Sequence, residues 1–441
     1  MTRRLAVVSL GCAKNLVDTE AAVGALASRG YRLTPDEGAA DAVLVNTCAF
    51  IGPAREEARE VLAELSARVA PDAVLAVMGC YAQLAAAALR RDFPRVDAVV
   101  GVAGPAAVAA AVEAARRGKR TTTVGSPRPA LARLASRPRL TARHVSFVKI
   151  ADGCDHPCSF CVIPRLRGPF RSRPADAILR EAEAARAGGA VELVLLAQDT
   201  SRYGEDRGVR DGLAKLLRRL GGVGVPWLRV LYLHPARVTD ELLAAFADVK
   251  SVVKYFDLPL QHVAPRILAA MGRPAWTPNE TMAFLDNIRG AVPGAALRTS
   301  FVVGFPGETR ADFDGLLEFA AAARFDHLGA FEFSAEEGTP AAALPRRVAA
   351  RVARERRAEL MLAQQGVVAA RYRSLRGARY RVLVDAVAAD GWATGRTYFQ
   401  APEADAVTRL APGRRYRPGT FVAAEVVGHE GYELVAKPVA R

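Results

Sequence analysis

Ala151–Gly168 reads ADGCDHPCSFCVIPRLRG. Three of the chain's six cysteines, Cys154, Cys158 and Cys161, fall within it at the spacing C-x3-C-x2-C. A disulfide framework does not suit three thiols, because one is left over and nothing else in the chain suggests secretion. Structural zinc with His156 or His144 as fourth ligand is one reading. Zinc sites commonly pair C-x2-C knuckles, however, and no second pair occurs. Closely spaced thiolates can also hold three irons of a cubane cluster and leave the fourth iron open. A ligand with both an amine and a carboxylate could chelate that iron. S-adenosylmethionine is such a ligand, and its sulfonium accepts an electron from a reduced cluster.

The other three cysteines end three similar segments upstream: RLAVVSLGC at Cys12, DAVLVNTC at Cys48 and DAVLAVMGC at Cys80. Each is a Val/Leu/Ala run, apolar at consecutive positions, as in strands buried on both faces of a parallel sheet. Helical patterns lie between them, over Val17–Ser28 and over Arg55–Arg68 after Pro53. The expectation is a β-α-β-α-β unit of a doubly wound parallel α/β domain. The functional edge of such a sheet is the carboxyl end of its strands, where all three cysteines fall. Three unrelated buried thiols would be the plain alternative. The repeated placement argues for one metal or iron–sulfur site with an open position.

Downstream, VELVLLAQDT, WLRVLYLHP, KYFDLPLQH, LRTSFVVGFPGET and HLGAFEFSAEEGTP read as strands. Helices such as Ala175–Ala187, Asp240–Phe246 and Arg310–Ala323 separate them. This alternation predicts a barrel-like parallel sheet with its chemistry at the C-terminal strand ends. Gly304, Gly307 and Glu308 form a tight turn after one strand, either a plain turn or a close approach to a cofactor. The last segments, RYRVLVDAV, GWATGRTYFQAPEADAVTRL and GTFVAAEVVGHEGYELVAKPVAR, are short strands with Gly/Pro turns, as in a small β-barrel. Pro punctuation and alternating charge from Gly118 to Thr141 mark a linker.

With Phe160 before its last cysteine, the opening stretch resembles the radical S-adenosylmethionine (SAM) enzymes. Joined to the N-terminal three-cysteine domain and to a barrel that looks like the TRAM domain, it resembles the methylthiotransferases over essentially the whole chain. The phrases SLGCAKNLVDTE, RGPFRSRP, LLAQDTSRYG, LYLHP, LPLQH and SAEEGTPAA are similar to the branch that modifies an aspartate of small-subunit ribosomal protein twelve. Ala13 departs from the proline usual in that family, and GCYAQLAAAAL lacks a basic-aromatic pair, but neither removes a ligand.

The resemblance implies an N-terminal methylthiotransferase domain over 3–118, a linker over 119–139, a radical SAM partial (β/α) barrel over 140–370 and a TRAM β-barrel over 372–441. It implies two 4Fe-4S clusters. Cys154, Cys158 and Cys161 would hold the one that cleaves SAM to a 5′-deoxyadenosyl radical. Cys12, Cys48 and Cys80 would hold an auxiliary cluster whose open iron carries the sulfur, a second SAM supplying the methyl group. A β-carbon C–H is not acidic enough for a side-chain base, so the hydrogen is taken by a cofactor-derived radical. An external electron donor such as a flavodoxin is expected. Cofactor contacts are expected at Gln198, Gly304, Gly307 and Glu308. Strand-end residues Gln198, Asp199, Arg202, His234, Gln261, His262 and Arg298 are candidates for the cofactor and substrate pocket. The rival readings are the same chemistry on a tRNA adenosine, and a non-enzymatic iron–sulfur scaffold that binds RNA or the ribosome.

The 441 residues suffice for two or three domains, and 51% hydrophobic with 24% charged is ordinary for a globular chain. The formal charge is +15, and arginine supplies all but seven of the 61 basic residues. That enrichment suits either genome composition or a life among polyanions. The run RRVAARVARERR, Arg346–Arg357, reads as a solvated helix face in preference to an RNA grip. Glu336 and Glu337 are expected at the barrel mouth, where carboxylates would attract a basic ribosomal protein and repel a phosphate backbone. The acidic stretch APEADA points the same way. No apolar run reaches the roughly 20 residues of a membrane helix. Leu5–Leu10 is too short for a signal core, so a cytosolic protein is expected.

Overall fold

A computed structural model describes residues 2–127 and 137–439. The N-terminal unit is a six-stranded, all-parallel sheet. Its spatial order is Tyr31–Leu33, Arg3–Ser9, Ala42–Thr47, Val74–Gly79, Ala98–Val100 and Thr121–Thr123. Ala42–Thr47 and Val74–Gly79 are buried at every position, which is why their sequences run apolar without alternation. Helices Ala13–Ala27 and Pro105–Arg116 pack on one face, and Gly52–Arg68 and Cys80–Asp92 on the other. The strand order reverses between Arg3–Ser9 and Ala42–Thr47, and that switch point opens a crevice at the carboxyl edge. Thr121–Thr123 belongs to this sheet, although the sequence reading puts it in the linker. Three threonines carry no apolar signal, but they are β-branched and suit an edge strand. Residues 128–136, the middle of the expected linker, lie outside the described residues.

The central unit is an arc of six parallel strands in chain order. Val145–Lys149, Glu192–Leu196 and Trp227–Val230 form one three-stranded sheet. Tyr255–Gln261, Ala296–Val303 and His327–Glu332 form another. A parallel bridge between Leu228 and Val252 joins the two. Helices Ala175–Ala187, Gly212–Gly221, Asp240–Asp248, Pro278–Ala291 and Arg310–Ala323 cover the convex side. The last two begin with capping boxes, Thr277 with Glu280 and Thr309 with Asp312, which satisfy the orphan N–H groups of the first turn.

These six strands form two open sheets and do not close into a barrel, so the concave face needs other cover. Its inward side chains Phe147, Leu196, Trp227 and Tyr255 pack with Val17 and Ala21 from the N-terminal unit and with Leu383, Phe399 and Ala401 from the C-terminal one. That C-terminal unit is a closed five-stranded barrel with its own small core of Val382, Val384, Leu410, Val422 and Ala436. It sits under the amino ends of the arc strands. There Glu192, fully buried, accepts from Arg229 at 2.7 Å and from Arg396 of the barrel at 2.5 Å. Arg298, expected in the pocket, is also used at this end. It pairs with Asp257 at 2.8 Å and with Asp405 at 3.2 Å. Asp405 lies within APEADA, so that stretch spends its buried carboxylate on holding the barrel to the arc instead of offering it to a partner.

Candidate metal centres

The first trio forms at the crevice. Cys12 lies just past the strand Arg3–Ser9, Cys48 directly after Ala42–Thr47 and Cys80 directly after Val74–Gly79. Gly11 has φ +89°, and a Cβ there would stand 2.7 Å from the Cys48 Cβ and 3.2 Å from its Sγ, so only glycine lets the two loops meet. Asn15 ties the strand ends together. Its amide donates to the Leu10 carbonyl at 3.2 Å and the Thr47 carbonyl at 3.3 Å, and its Oδ1 lies 3.7 Å from the Cys80 Sγ.

Burial pushes the Cys48 thiol up to about 11, and the neighbouring Cys80 and Cys12 add to it. Burial also raises Cys80, with Arg167 opposing. The protein crowding around Cys12 pushes that thiol up, but Lys14, the Asn15 backbone N–H and Arg167 together bring it below its ordinary value. The Lys14 ammonium sits 3.3 Å from the ring centre of Tyr232, at the end of an arc strand. Tyr232 itself holds φ +63°, a strained conformation kept by its N–H on Asp257 at 3.0 Å.

The second trio lies on the loop between Ala151–Asp152 and the short helix Ile163–Arg167. Backbone bonds from Cys154 N to Gly168 O at 3.0 Å and from Ser159 N to Met271 O at 3.0 Å fix that loop. Burial raises Cys154 to about 11 and Cys161 to about 12. All six cysteines are free thiols. Among the described residues no three His, Cys, Asp or Glu side chains are spaced to share a single metal ion. The histidines of the zinc reading are engaged elsewhere: His144 with Asp385 at 2.8 Å, and His156 with Asp199 at 2.6 Å.

The other expected residues divide. His156 stacks on His234 with ring centres 4.4 Å apart, so Asp199 and His234 do gather beside the second trio. His234 is pushed down to about 3, chiefly by burial, and its Nδ1 has no partner. Gln198 donates to Asp152 at 2.8 Å and leaves its Oε1 unpartnered. Arg202 is taken up by Asp155 at 3.0 Å and Glu205 at 3.3 Å. Gln261 holds φ +71° at its strand end. His262 is buried and accepts from Ala264 N at 2.9 Å, with its Nε2 unpartnered. Glu308 turns its carboxylate into the protein, accepting from Gly304 N at 2.6 Å and Arg356 at 2.7 Å. Arg356 is therefore buried, although it lies in the run read as a solvated face. Gly304, at φ +76°, would carry a Cβ only 2.6 Å from that of Ala353, so helix packing explains this glycine. Gly307 donates its N–H to Arg346 O at 2.8 Å.

Glu336 differs most from expectation. Its side chain is 3% exposed. It pairs with Arg55, accepts from Gly52 N at 2.9 Å and from Ser334 Oγ at 2.6 Å. It clasps the N-terminal unit and presents no charge to a partner. Glu337 remains exposed. Five residues not anticipated, Asn15, Asp18, Lys149, Asp152 and Arg167, form a polar network between the trios. Lys149, a lone cation in the apolar run VSFVKIA, was the legible hint.

Three family profiles match in succession: "Uncharacterized protein family UPF0004" over 4–101, "Radical SAM superfamily" over 148–320 and "TRAM domain" over 377–439. The protein named "Ribosomal protein uS12 methylthiotransferase RimO" from Anaeromyxobacter sp. (strain K) is 42% identical over 100% of this chain and 94% of its own. The protein of the same name from Synechococcus sp. (strain JA-3-3Ab) is 42% identical over 99% and 94%. The chain belongs to the RimO methylthiotransferase family. As a RimO-family member it is a radical SAM enzyme, and its three-part fold agrees with that assignment. Among solved structures, the radical SAM methyltransferase TsrM from Kitasatospora setae, with tryptophan and a SAM analogue bound, aligns with TM-score 0.61 at 15% identity. That alignment covers 83% of this chain and 89% of TsrM, and at that identity the likeness is one of fold. Among the described residues no helix is long and apolar enough to cross a membrane.

Proposed function

We propose that this enzyme methylthiolates the β-carbon of an aspartate in ribosomal protein uS12, and that each cysteine trio holds a 4Fe-4S cluster. With the units taken as 3–123, 140–370 and 372–441, each of the first two would hold one cluster. The observation that supports the reading is the meeting of two all-sulfur trios on the carboxyl edges of two parallel sheets, joined by one buried polar network. The donor set fits. All six are free thiols, and the thiolates they form are the donors that iron–sulfur clusters take. With two groups bound, the site would supply the electron that splits SAM and the iron that carries sulfur, a second SAM giving the methyl group.

This chain's own residues orient and exclude. Gln198, with one free amide oxygen, and the His156–His234 stack line the approach to the second trio. Lys14 and Tyr232 bridge the N-terminal crevice and the arc. The C-terminal barrel seals the opposite end of the arc. Since Glu336 points inward, charge at the mouth no longer separates protein from RNA, and the choice of uS12 rests on the relatives' name. We place the reaction in the cytoplasm, with a flavodoxin-class protein as electron donor. The test is anaerobic reconstitution with iron, sulfide, SAM and reductant, offering uS12 and an adenosine-bearing tRNA separately. A methylthio mass gain on the uS12 aspartate is expected. Gain on tRNA alone would reverse the substrate choice, and 5′-deoxyadenosine absent from both would reject the enzyme.

A further inference from the structure

Arg167 belongs in sequence to the second trio, six residues past Cys161, yet it is built into the first. The short helix that carries it packs Val162 and Leu166 into the same core as Leu62, Cys80 and Tyr81 of the N-terminal unit. Its guanidinium is 3% exposed. One nitrogen donates to Asp18 at 2.5 Å and to Asp152 at 3.3 Å. The other donates to Asn15 Oδ1 at 2.6 Å, the same oxygen that faces the Cys80 Sγ at 3.7 Å. Lys149 pairs with both carboxylates as well, at 2.9 Å to Asp152. Asp18, Asp152, Lys149 and Arg167 thus form a square of two charges of each sign, buried but for the partly exposed Asp18. Its four full charges cancel, but they are not placed evenly. Arg167 is the member that leans on the first trio, one hydrogen bond away from the Asn15 oxygen that the Cys80 Sγ faces. Beside the second trio it is Arg202 that stands, paired with Asp155, the neighbour of Cys154, at 3.0 Å.

We propose that Arg167 is a positioning residue that sets the reduction potential of the cluster held by Cys12, Cys48 and Cys80, and of that cluster alone. Reduction adds one negative charge to a cluster, and a fixed cation in a low-dielectric surrounding favours the reduced form. The bidentate fork matters because it aims one arm at Asn15 while the other is held by Asp18. Placing the cation on the loop that carries the second trio also means that the first cluster acquires its full field only when the two units are docked. This inference rests on the two-cluster reading above.

The experiment uses the full chain in two backgrounds. In one, Cys154, Cys158 and Cys161 are alanine, and in the other Cys12, Cys48 and Cys80 are alanine. Each is reconstituted anaerobically, its iron counted, and its cluster titrated against potential by electron paramagnetic resonance. In the first background Arg167→Gln should lower the reduced-to-oxidised ratio at fixed potential at least tenfold, a shift of about 59 mV for one electron. Asp18→Asn, which removes the opposing charge, should move the ratio the other way. Arg167→Lys keeps the charge and should shift it by less than threefold. In the second background all three should change the ratio less than twofold. Equal shifts in both backgrounds, or the same sign for Arg167→Gln and Asp18→Asn, would overturn the assignment. A first background that takes up no iron overturns the two-cluster reading instead, and this one with it.

Discussion

Removing the Glu336 carboxylate should loosen the N-terminal unit where it meets the arc, and should do so locally. Glu336→Ala deletes three hydrogen bonds at once: to Arg55, to the Gly52 N–H that opens the helix Gly52–Arg68, and to Ser334. A charge-assisted bond contributes about 1.5–3 kcal/mol and a neutral one about 1. The Arg55 side chain is 27% exposed, so water recovers part of its share. The net is about 2–4 kcal/mol. Glu336→Gln keeps an acceptor for Gly52 and should lose about 1–2 kcal/mol. A cycle with Arg55→Ala should give a coupling of about 1–2 kcal/mol. Global unfolding of a three-unit chain is not two-state, so the assay is native-state hydrogen exchange of the amides at the start of this helix. At tenfold per 1.4 kcal/mol, exchange there should speed up roughly 30- to 1,000-fold in Glu336→Ala, with the C-terminal barrel unchanged. Unchanged exchange, together with a salt-sensitive loss of affinity for uS12, would show that the carboxylate faces the substrate and that the clasp is wrong.

Replacing Cys154, Cys158 and Cys161 by alanine should leave about half the iron and abolish SAM cleavage, while replacing Cys12, Cys48 and Cys80 should leave about half and spare some uncoupled cleavage. Iron counts and 5′-deoxyadenosine assays read both. Glu192→Gln unpairs Arg229 and Arg396 in full burial and should destabilise the seat of the C-terminal barrel by about 3–5 kcal/mol, seen as early proteolysis near residue 376. Burial depresses His262 to about 4, so its neutral form contributes stability fully above the ordinary value near 6.5, and loses it as pH falls from there toward 4. The difference in stability between the wild type and His262→Leu should therefore shrink by up to about 3 kcal/mol across that window. A pH-independent difference would refute the buried neutral imidazole.

Much of the fold could be read from local pattern. Ala175–Ala187 and Arg310–Ala323 fall where the periodicity puts them, because Pro174 and Gly188 bound the first and the Thr309 cap opens the second. The cysteine-ended strands were legible because full burial on both faces forces unbroken apolar runs. What escaped is nonlocal. A carboxylate in a loop gives no sign of a cation 281 positions upstream, and Glu336 was therefore read as free. The same holds for Arg167 and Asp18, 149 positions apart, and for Arg298 and Asp405, 107 apart. Thr121–Thr123 escaped because pairing, and not side-chain burial, makes it a strand.

The packing of Val162 and Leu166 against the N-terminal core has a consequence for synthesis. The six-stranded sheet is complete once Thr123 has been made, but the patch around Cys80 and Tyr81 stays uncovered until Leu166 follows. At about 5–20 residues per second the ribosome takes roughly 2–9 s to add the intervening chain. During that interval Cys80, buried in the finished protein, stands uncovered at the carboxyl edge of the sheet. The polypeptide that then arrives to cover it is the loop that carries the second three.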